Sequence, residues 1–120
     1  MDHISELTHL NFLTVNHKQK IRIPTYNIVM MEGNNKYTLF HLQNGKKKMY
    51  ARTLRHFEEQ MTDESFIRCH RAFLVNPAFI IGYDKEASKL HMVNNLKASI
   101  SRRKHGRLGC FFLDNPFVIE

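Results

Sequence analysis

The sequence predicts a mainly β domain with two short helices. Apolar runs are short and recur at close intervals, turn-forming pairs (Asn44-Gly45, Asn76-Pro77, Asn94-Asn95) separate them, and only two stretches begin with a helix start signal. At 120 residues, 42% hydrophobic and 24% charged, the chain has an ordinary globular mix and the length of one domain. A chain of this size buries roughly two-thirds of its unfolded surface, enough for a core without disulfides or metals.

Residues 1–11 are polar and rich in histidine and read as a flexible N-terminal arm. Residues 12–15 (Phe-Leu-Thr-Val) are the first strand candidate, and Asn16-His17 the turn after it. Residues 20–23 alternate polar and apolar until Pro24, which has no N–H to give a ladder, stops them. Residues 28–31 are a continuous apolar run, as expected of a strand buried on both faces. Glu32-Gly33-Asn34-Asn35 reads as a loop by composition. Residues 37–42 follow as a strand, with Tyr37, Leu39 and His41 on one face and Thr38, Phe40 and Leu42 on the other. Asn44-Gly45 is the strongest hairpin signal, because both residues tolerate positive φ, and residues 46–50 would return.

Thr53 can N-cap a helix that carries Leu54, Phe57 and Met61 on one face and ends within residues 61–65. Residues 66–75 are dense in aromatic, β-branched and basic side chains, and Asn76-Pro77 closes them. Residues 79–83 and 90–93 read as strands around an acidic turn. Asn94-Asn95 is a further turn, and residues 96–100 pair back. Ser101 can cap a last helix from Arg102 to about Leu108, ended by Gly109. Eight to ten short strands of this kind make a sandwich or a barrel.

Charge narrows the function. Eighteen Lys and Arg against eleven Asp and Glu give +7, a balance that suits polyanion partners. The bases are gathered: residues 96–108 hold Lys97, Arg102, Arg103, Lys104 and Arg107 and no acid, with further clusters at residues 46–48 and at Arg68, His70 and Arg71. No run approaches the ~18 apolar residues of a membrane span. Phe111-Phe112-Leu113 and Phe117-Val118-Ile119 are interrupted by Asp114 and Pro116, so residues 111–120 read as a C-terminal arm against the core or a dimer contact.

Other chemistry finds no constellation. The eight histidines have no i, i+4 pair and the two cysteines no Cys-x-x-Cys, so no metal or other cofactor is expected. Cys69 and Cys110 read as reduced thiols of a cytoplasmic protein. Cys69 and His70 are strand neighbours pointing to opposite faces, poorly placed for nucleophilic catalysis. The acid pairs Glu58-Glu59 and Asp63-Glu64 suit a solvated helix face, and the five glycines are too dispersed for a phosphate loop. An enzyme is not expected.

Three stretches in order carry a resemblance. They are Ile28-Val29-Met30-Met31-Glu32-Gly33-Asn34-Asn35-Lys36-Tyr37-Thr38, then Phe66-Ile67-Arg68-Cys69-His70-Arg71-Ala72-Phe73-Leu74-Val75-Asn76, then Ala98-Ser99-Ile100-Ser101-Arg102-Arg103. They resemble the LytTR-type DNA-binding domain of bacterial transcription regulators over about residues 15–108, the central run being the specific one (F-x-R-x-H-R-S-Y-L-V-N in the family). Ala72 and Phe73 replace the usual Ser and Tyr, and Ala98-Ser99 stands where proline is common; no charge is lost. The resemblance implies an elongated arrangement of small antiparallel sheets that reads DNA through loops. It implies a domain at residues 12–110 with Asn34, Asn35 and Lys36 in one contact loop. Arg71 matches a base-contact position, and Arg102 and Arg103 the basic C-terminal contact.

Side-chain chemistry agrees. An arginine fork bonds guanine O6 and N7 together, and asparagine can do the same for adenine. Lys36, Lys47, Lys104 and Arg107 suit phosphates, which set register without reading sequence. His70 either orders its loop through backbone hydrogen bonds or contacts phosphate. The expected partner is double-stranded promoter DNA. A homodimer or paired binding on repeated sites, and a regulatory protein partner, are compatible with it. The alternative is a β-sheet module that binds protein without DNA. With only about a dozen residues ahead of the first strand, a stand-alone regulator is expected over a fragment of a two-component response regulator.

Overall fold

A computed structural model describes residues 12–61 and 65–104. Among them are ten strands in three antiparallel sheets. Strands β1 (Phe12–Asn16) and β2 (Ile21–Pro24) form a two-stranded sheet. Strands β3 (Ile28–Asn34), β4 (Tyr37–Leu42), β5 (Lys47–Tyr50), β6 (Ile67–His70) and β7 (Phe73–Val75) form the central sheet in the order β5-β4-β3-β7-β6. Strands β8 (Ile80–Asp84), β9 (Lys89–Met92) and β10 (Lys97–Ser99) make the third, ordered β10-β9-β8. None of the three closes on itself, so the architecture is a set of small open sheets rather than a barrel.

The apolar run of β3 explains the layering. Ile28, Val29, Met30 and Met31 are all buried, and a register shift between Ile28 and Met30 distributes them to both faces. Ile28 and Met31 pack with Leu13, Ile23, Phe40 and Phe57 beneath β1, β2 and the helix α1 (Leu54–Glu58). Val29 and Met30 pack with Cys69, Val75, Leu90 and Met92 beneath the three-stranded sheet. The central sheet is thus cored on both sides. Side chains tie the layers: Gln60 exchanges two hydrogen bonds with the backbone of Thr14, and Asn94 Nδ2 donates to the Gln43 carbonyl at 3.1 Å. Asn76 is buried, with Nδ2 donating to the Ile28 carbonyl at 3.0 Å and Oδ1 accepting from the Ala78 N–H.

Several elements differ from the sequence expectation. Glu32, Gly33 and Asn34 continue β3, and the turn is only Asn35-Lys36, with Asn35 at φ 49°. An asparagine enters that left-handed region at small cost, so two residues suffice. At Asn44-Gly45 only Gly45 has positive φ (88°); Gly45 N–H donates to the Leu42 carbonyl and Leu42 N–H to Lys46, a three-residue loop with glycine at its left-handed position. Residues 66–75 split at Arg71-Ala72 into a hairpin, β6 against β7. His41 shares a face of β4 with the exposed Tyr37 but is itself buried, its Nε2 3.1 Å from Glu32 Oε1. Thr53 caps α1 as expected, Oγ1 accepting from the His56 N–H. Of the last helix the described residues hold one 3-10 turn, Arg102–Lys104, with Lys104 N–H bonded to the Ser101 carbonyl; residues 105–108 lie outside the described residues, as do both arms and Cys110.

Candidate nucleic-acid interface

Register brings the predicted loops together. β7 pairs with β3 so that Phe73 faces Glu32, and the ladder is extended by the Gly33 N–H donating to the Ala72 carbonyl at 2.8 Å. The β3–β4 turn, with Asn34, Asn35 and Lys36, therefore stands beside the β6–β7 turn, with Arg71 at its tip. All four residues are exposed. The N-terminal turn of α1 forms a third wall. Asn34, Asn35, Thr53, Arg55, Arg68 and Arg71 line an open concavity of about 420 Å³, with no carboxylate among its lining residues.

The basic C-terminal segment comes alongside through β6. Ser101 N–H donates to the Cys69 carbonyl at 2.8 Å, and the Cys69 thiol donates to the Ser99 carbonyl at 3.3 Å. Arg102 and Arg103 are exposed just beyond this junction, and Lys104 is close enough for its charge to act on the thiol. Cys69 itself is fully buried. Burial pushes its thiol up to about 12, against the weaker opposite effects of a backbone hydrogen bond and of Arg68 and Lys104. A buried, protonated thiol is a packing group.

His70 orders its own turn: its Nδ1 accepts from the Ala72 N–H at 3.0 Å. Burial, then the charges of Arg71, Lys89 and Arg68, hold its pKa below the ordinary histidine value. Lys47 is not brought to this end. It pairs with His41, toward the opposite end of β4 from the Asn35-Lys36 turn. Arg107 lies outside the described residues.

Two further arginines stand at this end, Arg55 and Arg68, neither of which the sequence assigned to the contact set. Arg55, the second residue of α1, is exposed and pairs with Glu59, a helical turn away at 3.4 Å. Its signal was a base in the first turn of a capped helix, which says nothing about the neighbouring hairpins. Arg68 was visible only as one charge of a cluster. It bonds the carbonyls of His70 and Arg71 and the carboxylate of Glu58.

The fold and these turns define a class: a small β domain that gathers guanidinium, ammonium and amide groups on adjoining turns at one end of its central sheet. The family described as the LytTr DNA-binding domain matches residues 18–109. The chain belongs to this LytTR family, one of DNA-binding domains of transcription regulators rather than of enzymes. A search of the curated proteins finds no match. Among solved structures, one described as the LytTr DNA-binding domain of a methyl-accepting/DNA response regulator from Bacillus cereus matches with a TM-score of 0.64. It is 24% identical, over 86% of this chain and 95% of its own, a likeness of fold. Among the described residues no helix is long and apolar enough to cross a membrane, and no three His, Cys, Asp or Glu could hold a metal ion.

Proposed function

We propose that the chain is the sequence-specific double-stranded DNA-binding domain of a bacterial transcription regulator, which places its turns in the major groove. The observation that carries this is the Gly33–Ala72 hydrogen bond, which sets the Asn34–Lys36 turn and the Arg71 turn side by side. From β4 to β6 there are three strand spacings, about 14 Å. That is close to the width of a major groove, about 12 Å. Arg71 and one of Arg102 and Arg103 read base edges, Asn34 and Asn35 offer amide pairs to the same groove, and Lys36 and Lys104 hold phosphates. Arg55, on the third wall, joins the phosphate contacts. His70 acts through the turn it orders.

A split between two variants tests this, using the duplex preferred from a random pool and a random-sequence duplex. Arg71→Ala should cost about 1 to 3 kcal/mol on the preferred duplex and relax preference at one position. Lys104→Ala should weaken both duplexes alike and make the dependence of log affinity on log salt shallower by about one unit. Equal losses on both duplexes for Arg71→Ala would remove its role as a reader.

A further inference from the structure

We infer that Arg68, anchored by Glu58, is the positioning residue that holds the Arg71 turn in its DNA-reading geometry; this rests on Arg71 reading bases as proposed above. The turn needs an outside hold. His70 pairs with Phe73, so Arg71-Ala72 is a two-residue connection. Two-residue connections that match strand twist require positive φ at the first or at both central residues, and neither Arg71 nor Ala72 has it. The connection also contains no Gly, Asn, Asp or Pro, the residues that supply turn geometry by themselves.

Arg68 supplies what the turn lacks. Its Nε donates to the His70 carbonyl at 3.0 Å and its Nη2 to the Arg71 carbonyl at 2.6 Å. Its Nη1 donates to Glu58 Oε1 at the end of α1. One planar fork therefore fixes two successive carbonyls of the turn and ties them to a separate element. Lysine cannot reproduce this, because an ammonium on a flexible stem has no fixed plane. The side chain is only 22% exposed, and each of its three nitrogens donates a bond within the protein, which sets it apart from Arg55 and Arg71 on the same concavity. A guanidinium so occupied shapes the interface without being a free cation of it.

The test compares Arg68→Lys and Glu58→Gln with the native protein, each checked for cooperative thermal unfolding, on the preferred and random-sequence duplexes. Arg68→Lys keeps the charge and should cut discrimination between the duplexes about tenfold while leaving the salt dependence unchanged. Glu58→Gln removes an acid near the interface. Charge alone would then raise affinity for every duplex, whereas positioning requires discrimination to fall. In an Arg71→Ala background neither change should lower discrimination further, a coupling that general destabilisation would not produce. Without DNA, Arg68→Lys should speed amide exchange at Ala72 relative to β3.

Equal losses on both duplexes for Arg68→Lys would make Arg68 a phosphate contact and overturn the inference. So would unchanged discrimination, or unchanged Ala72 exchange, in folded variants. If Arg71→Ala itself leaves discrimination intact, base reading by Arg71 falls first, and the positioning role falls with it.

Discussion

The His70 imidazole can accept the Ala72 N–H only while Nδ1 is unprotonated. Protonation turns the acceptor into a donor and removes one of the ties on the Arg71 turn. Burial and the nearby charges of Arg71, Lys89 and Arg68 oppose protonation in the folded chain, so its pKa lies below the ordinary 6.5. The unfolded chain then binds more protons in the window between the two values, and stability rises with pH there. The contribution is fully present above pH 6.5 and is lost as pH falls below it toward the folded pKa. A titration of the His70 ring by NMR should therefore give a midpoint under 6.5, with Ala72 exchange accelerating across the same range. A midpoint at or above 6.5 would contradict this arrangement.

At the scale of elements, the approach of α1 to β3 depends on one absent side chain. A Cβ added to Gly33 would stand 2.9 Å from the Leu54 Cβ. Neither atom lies on a flexible end, so helix and strand would have to separate. Gly33→Ala should cost about 1 to 3 kcal/mol by overpacking. The thermal midpoint should fall by roughly 4–8 °C for each kcal/mol. The same displacement would draw Glu58 away from Arg68. An unchanged melting curve would mean the two elements are less closely fitted than they stand. This contact also marks what the sequence could and could not tell. The β3 run, the Thr53 cap and the Asn-rich turns were legible because each is signalled by residues within a few positions of one another. The division of residues 66–75 at Arg71-Ala72 was not, because the turn has no turn-forming residue and is held by side chains that do not advertise that role. Arg71, Arg102 and Arg103 were singled out through the family pattern, and the fold leaves all three exposed. Arg55 was not singled out, and Arg68 only as one charge of a cluster, because their place beside these turns depends on pairing and packing across segments: β7 on β3, and α1 beside both. Conversely, Lys47 was singled out for its charge, and strand register sets it beside His41, away from the Asn35-Lys36 turn.

For the molecule as a whole, three small sheets mean many strand edges, and an open edge can template pairing with another chain. The outer edge of β1 is closed in an unusual way. Gln60 Oε1 accepts from the Thr14 N–H at 3.0 Å and its Nε2 donates to the Thr14 carbonyl at 3.1 Å, the two bonds a neighbouring strand would make. Replacing Gln60 with Ala should strip this cover from β1, which has Phe12 exposed at its start. The expected result is concentration-dependent self-association beyond that of the native chain, seen by sedimentation or light scattering well below the melting temperature. Unchanged behaviour would show that the edge is guarded by something else. A single amide thus acts as a decoy strand, and the guard of the β1 edge is a side chain that follows the end of α1 rather than part of any sheet.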